Sequence, residues 1–110
     1  MTSRVEIDAG ICGFDATVIS ESQDEQHVTF KITSDCERIA QLAEKIYAEH
    51  PIDAYTEISP IATSKILLLS AQQLTGGCAG CVVPIGIFKA MQVAARLALP
   101  KDIQIKINIE

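Results

Sequence analysis

The sequence predicts a two-layer α+β domain: a mainly antiparallel four-stranded sheet with three helices on one face, in the order β-β-β-α-α-α-β. Three observations lead there. Apolar and polar residues alternate over residues 4–11, 28–33 and 103–110, the period-two pattern of half-buried strands. Between them, from Ile39 to Leu99, apolar residues recur at helical spacing. No linker, repeat or low-complexity stretch divides the 110 residues, so residues 1–110 form one domain, long enough to bury a core without disulfides.

The elements follow in order. Val5, Ile7, Ala9 and Ile11 alternate with Arg4, Glu6, Asp8 and Gly10 in the first strand. Gly10-Ile11-Cys12-Gly13 reads as a turn, with Cys12 at its tip between two permissive glycines. Residues 15–21, with β-prone Thr17, Val18 and Ile19, make a second strand. A polar turn at residues 23–26 leads to a third, carrying Val28, Phe30 and Ile32 and hairpin-paired with the second.

Ser34 and Glu37 have capping-box spacing, which sets Ser34 at an N-cap and Cys36 in the first helical turn. Ile39, Leu42, Ala43, Ile46 and Tyr47 form the apolar stripe of that helix, and His50-Pro51 closes it. Ser59-Pro60 then opens a second helix, running through Ile66, Leu67, Leu69 and Leu74 to Gly76-Gly77. A third helix is expected over residues 83–99. Pro84 lacks an amide hydrogen and fits only a first turn, so Cys81 sits close to the helix start. Ile103, Ile105, Ile107 and Ile109 mark a final strand.

Composition narrows the function classes. A net charge of −5 without a run of Lys or Arg argues against nucleic-acid or anionic-membrane partners. The first residues carry charges where a secretory signal needs an apolar core. The most apolar run, residues 82–99, contains Lys89, Gln92 and Arg96 and reads as a core helix, not a membrane span. A cytoplasmic protein is expected. There, four cysteines are ligands or reactive thiols before they are disulfides.

Each cysteine falls where a local device ends: a glycine-flanked turn, a capped helix start, and the loop opening the third helix. Buried inert cysteines are common, but that reading explains one thiol better than four. The sharper expectation is a metal site of Cys12, Cys36, Cys78 and Cys81, holding zinc or an iron–sulfur cluster, since both accept four thiolates. Helix N-termini would offset part of the negative charge. A second reading makes Cys78 and Cys81 a redox or sulfur-carrying dithiol with an acidified thiol at a helix start. A third is a structural or assembly subunit without a cofactor, a homo-oligomer formed through the broadly apolar third helix. No triad, acid pair or phosphate loop is present, so no catalytic activity is assigned. His27 is expected on the solvent face of the third strand. His50 is expected to cap its helix, and Lys89 to lie two turns from Cys81 on a solvated flank.

Two resemblances add to this. Gly76-Gly77-Cys78-Ala79-Gly80-Cys81, followed by a helix with Lys89, a proline and a strand, resembles the C-terminal domain of NifU-type iron–sulfur scaffolds over about the last third of the chain. It implies Cys78 and Cys81 as cluster ligands. Over the whole chain, Gly10 to Gly13, Ser34 to Cys36, Cys81 to Lys89 and Ala98 to Asp102 resemble a small family of unassigned activity from methanogens and other anaerobes. That resemblance implies an anaerobic cytoplasm and favours the cluster over zinc.

Overall fold

The computed structural model describes residues 1–110. Strands β1 (Thr2–Asp8), β2 (Asp15–Glu21) and β3 (His27–Ser34) form an antiparallel meander; helix α1 (Glu37–Tyr47) follows. A two-residue strand β4 (Ile52–Asp53) then pairs antiparallel with β3, so the sheet order is β1-β2-β3-β4. Three helices complete the chain: the short α2 (Ala54–Glu57), α3 (Lys65–Gln73) and α4 (Val83–Ala94). The α+β class and the four-stranded antiparallel sheet are as expected.

Alternation puts one sheet face in water and the other under the helices. Val18, Val28, Phe30 and Ile32 point inward; Thr29, Lys31 and Thr33 point outward. Helix α4 lies across β1 and β2, α1 covers β3, and α3 bridges α1 and α4. The inward stripe of α1 is the expected one, with Ile39, Leu42, Ala43 and Ile46 buried.

Helix α4 is seated by two devices. Gly86 lies so close to β1 that an added Cβ would stand 2.2 Å from Ile7 Cδ1. At the other end, the hydroxyls of Ser3 and Ser20, opposite each other on β1 and β2, each donate to the Ala90 carbonyl at 2.7 Å. The run Gly76–Ala94 is apolar enough by composition to cross a membrane. Only 12 of its residues form the α-helix, which rises about 18 Å against a bilayer core of about 30 Å. Its buried face rests on the sheet, as expected of a core helix.

Several expected elements are placed differently. Residues 103–109 form no strand, and every residue from Leu99 onward is exposed. The four isoleucines have the pattern but meet no strand in their own chain; β4 fills the fourth place, too short to show any period. Ser34 is not the cap of α1. Its hydroxyl accepts the Cys36 amide at 3.1 Å and donates to the Asp15 carbonyl at 2.7 Å, so the helix starts two residues later than expected. Ser59-Pro60 does not open α3 but precedes a 3₁₀ turn at Ile61–Thr63, and Ser64 is the N-cap. Helix α4 stops at Ala94 instead of Leu99, where Arg96 adopts a left-handed φ of 60°.

Candidate functional site

Three connections converge at one end of the sheet. The β1–β2 turn starts from the last register pair, Asp8 and Asp15. Gly10 and Gly13, at φ 87° and 77°, make the backbone reversal a side chain would resist. The turn closes through the Gly13 amide donating to the Gly10 carbonyl at 2.9 Å, leaving Cys12 exposed at its tip. Ser34 ties the end of β3 to this corner through Asp15, which brings Cys36 alongside.

The third connection arrives from the helical layer. Gly76–Cys78 forms a 3₁₀ turn, and the Cys81 amide donates to the Cys78 carbonyl at 3.1 Å. Val82 is the N-cap of α4, with Pro84 in the first turn as its missing amide predicts. Two contacts fix this loop against the other two. Arg38, in the first turn of α1, donates to the Thr75 carbonyl at 3.2 Å, and Gly86 abuts Ile7 near the end of β1. Cys36, Cys78 and Cys81 are half-buried and pack on the core; Cys12 stands outside it.

The electrostatics of Cys81 register that convergence. Burial pushes its thiol above the ordinary 9.0, the Val83 amide pulls it back as a donor to the sulfur, and Cys12, Cys36 and Cys78 push it up further. All three other thiols therefore lie within electrostatic reach of Cys81. No three His, Cys, Asp or Glu side chains stand in a ready metal-holding arrangement.

Helices α1 and α4 both begin beside these thiols, and neither N-cap residue, Cys36 or Val82, makes a side-chain capping bond. At α1 the first amides have no partner, whereas at α4 the Val83 amide donates to the Cys81 sulfur, Pro84 has no N–H, and the Ile85 and Gly86 amides donate to the Val82 carbonyl. Beside Cys81, an apolar groove of about 300 Å³ runs between α3 and α4, lined by Leu67, Ala71, Leu74, Val82 and Pro84 among others. A larger hollow of about 390 Å³ lies at the opposite end of the sheet, among Glu21, Gln23, Asp24, His27 and Thr29. It is open, polar and without a nucleophile, so the cysteine corner is the better candidate despite the smaller volume.

The remaining candidates have structural roles. His27 is solvent-exposed and pairs with Asp24 at 2.7 Å, which raises the imidazole pKa. His50 does not cap α1; its Nε2 accepts the Phe30 amide at 3.1 Å, and burial lowers its pKa. Lys89 is exposed. Sequence reasoning missed Arg38 and the Val83 amide. The guanidinium gave no pattern signal, whereas Pro84 already implied that Val83 would open the helix with a free N–H.

No curated protein and no solved structure matches the chain. The model of a family of unknown function (DUF6951) matches residues 3–107, nearly the whole chain, and the protein belongs to that family.

Proposed function

We propose that the protein holds a metal centre, zinc or an iron–sulfur cluster, through the thiolates of Cys12, Cys36, Cys78 and Cys81. The observation that carries this reading is that the three cysteine-bearing connections meet at one end of the sheet, tied by Ser34 to Asp15, by Arg38 to Thr75 and by Gly86 against Ile7. Burial and neighbouring thiolate charge oppose ionisation of Cys81, and a cation removes that penalty by displacing its proton. The open N-terminus of α1 and the Val83 amide of α4, directed at the Cys81 sulfur, add partial positive charge at the same corner. Cys78 and Cys81 would be the fixed pair and Cys36 the third ligand. Cys12, on an exposed glycine-flanked turn, would close over them.

Bound there, zinc would pin the three connections together, whereas a cluster would add one-electron transfer. The setting is a reducing cytoplasm; the likeness to proteins of anaerobes favours the cluster. The test is anaerobic purification followed by metal and sulfide analysis and a visible spectrum. About one zinc per chain, or iron with acid-labile sulfide and thiolate charge-transfer bands, is the expected result. Neither metal in stoichiometric amount, before or after anaerobic reconstitution, would remove the proposal.

A further inference from the structure

The sheet has one closed edge and one open edge. Beyond the two residues of β4, β3 is sealed by side chains: His50 accepts the Phe30 amide, and the Tyr47 hydroxyl accepts the Ile32 amide at 2.7 Å. At the β1 edge no such cover exists. Met1 and Ala9 bond to Ser22 and Phe14 of the β2 side, so by antiparallel alternation Ser3, Val5 and Ile7 also turn their backbone groups to β2. Thr2, Arg4, Glu6 and Asp8 therefore aim their N–H and C=O groups at solvent, and all four are exposed. Edges of this kind invite another strand.

The chain also contains a segment with a strand's alternation and no sheet to join. Ile103, Ile105, Ile107 and Ile109 alternate with Gln104, Lys106, Asn108 and Glu110, and the isoleucines are 58–101% exposed. No backbone bond beyond Ala98 ties this segment to its own chain. We infer that residues 103–109 of one copy add as a strand to the open β1 edge of a second copy, making a reciprocal strand-exchanged dimer.

The chemistry of the two strands agrees. With Lys106 opposite Glu6, Ile105 and Ile107 fall beside Val5 and Ile7 whichever way the strand runs. Every isoleucine then joins the helix-covered face, and every polar residue joins the wet one. Lys106 meets Glu6, an opposite-charge match across neighbouring strands, with Asp8 and the Glu6-paired Arg4 at the two diagonals. The exit of the chain favours a second copy over its own edge. After α4, Arg96 pairs with Glu25 in the β2–β3 turn at 3.1 Å, and the segment that follows makes no backbone bond to its own β1. Reciprocal exchange closes as a two-fold dimer and fills both open edges. The inference does not depend on the cysteine site.

Sedimentation of the full chain tests it, with two variants. In Glu6→Pro the missing amide hydrogen belonged to the open edge, so the β2 ladder is left intact. The double change Ile105→Lys, Ile107→Lys spoils the donated strand. Wild type is expected to be a dimer, and each variant to weaken dimerisation about 100-fold. Circular dichroism should remain native in both. Mixing the two variants gives a heterodimer with one intact exchange, the strand of Glu6→Pro on the edge of the lysine variant, and the other exchange lost. A monomeric wild type, a dimer indifferent to both changes, or a mixture that fails to associate would each overturn the inference.

Discussion

The start of helix α3 and the starts of α1 and α4 solve the same problem in opposite ways. The carboxylate of Glu57, only 1% exposed, accepts the Lys65 amide at 2.7 Å and both the Ile66 amide and the Ser64 hydroxyl at 2.9 Å. Ser64 in turn accepts the Leu67 amide at 3.1 Å. Every donor of that first turn is thus answered by the protein itself. Helix α1 opens at Cys36 with no side-chain cap, and α4 opens at Val82 with its first amide on the Cys81 sulfur. A chain able to seal one helix start so completely leaves α1 unsealed where thiols gather and turns the first donor of α4 onto one of them. The difference marks the cysteine corner as a place with electrostatic capacity to spare for an anionic group.

The largest effect is expected where the seal is complete. Glu57→Ala strands the buried Ile66 amide, the half-buried Lys65 amide and the buried Ser64 hydroxyl, and should cost about 3 kcal/mol, lowering the melting temperature by more than about 10 °C. Metal content per folded molecule should not change. Glu57→Gln, which keeps an acceptor, should recover part of the loss.

Next comes the seat of α4. Gly86→Ala forces a methyl group into Ile7 and should destabilise the fold by about 1–2 kcal/mol, the clash outweighing the better helix propensity. Because α4 opens beside Cys81, metal retention should weaken in the same variant, as read by competition with a chelator. Full retention with the fold loosened would uncouple the helix seat from the site.

A smaller change with two opposed readouts bears on the contrast most directly. Cys36 holds the extended backbone of an N-cap, φ −73° and ψ 117°, so Cys36→Ser supplies the missing capping oxygen. Apoprotein stability should rise by about 0.5–1 kcal/mol in chemical denaturation while metal retention falls. A variant that gains stability and keeps its metal would show that Cys36 is no ligand.

The smallest effect is one of pH. Burial holds the His50 pKa below its ordinary 6.5. Its contribution to stability is therefore complete above 6.5 and is lost as pH falls toward the folded-state value, because the unfolded chain takes the proton first. Protonation also ends acceptance of the Phe30 amide. The melting temperature of wild type should drop between about pH 7 and pH 5.5 more than that of His50→Gln, whose amide oxygen can still accept.

Much of this arrangement was legible in the sequence, and the losses have physical causes. Alternation gave β1, β2, β3 and their hairpins because one face of each is buried and the other wet. The glycines around Cys12 and the proline after Cys81 placed those two thiols correctly, since φ preference and a missing amide are properties of single residues. Ser34 misled because its hydroxyl found the Asp15 carbonyl of a neighbouring strand, a partner no local spacing reveals. Glu57 went unread for the same reason: it caps a helix that begins eight residues later. Residues 103–109 were read as a strand from their pattern alone, although no strand of their own chain pairs with them.

The serine pair on β1 and β2 has a consequence for the far end of α4. Ser3 and Ser20 grip the Ala90 carbonyl nine residues along from Cys81, a helical distance of about 13 Å. Sliding the helix by half a turn would carry that carbonyl out of reach of both hydroxyls in a dry interior. The helix thus works as a measuring rod, pegged at one end, and the position of the sulfur at the other is decided by two hydroxyl groups that never approach it.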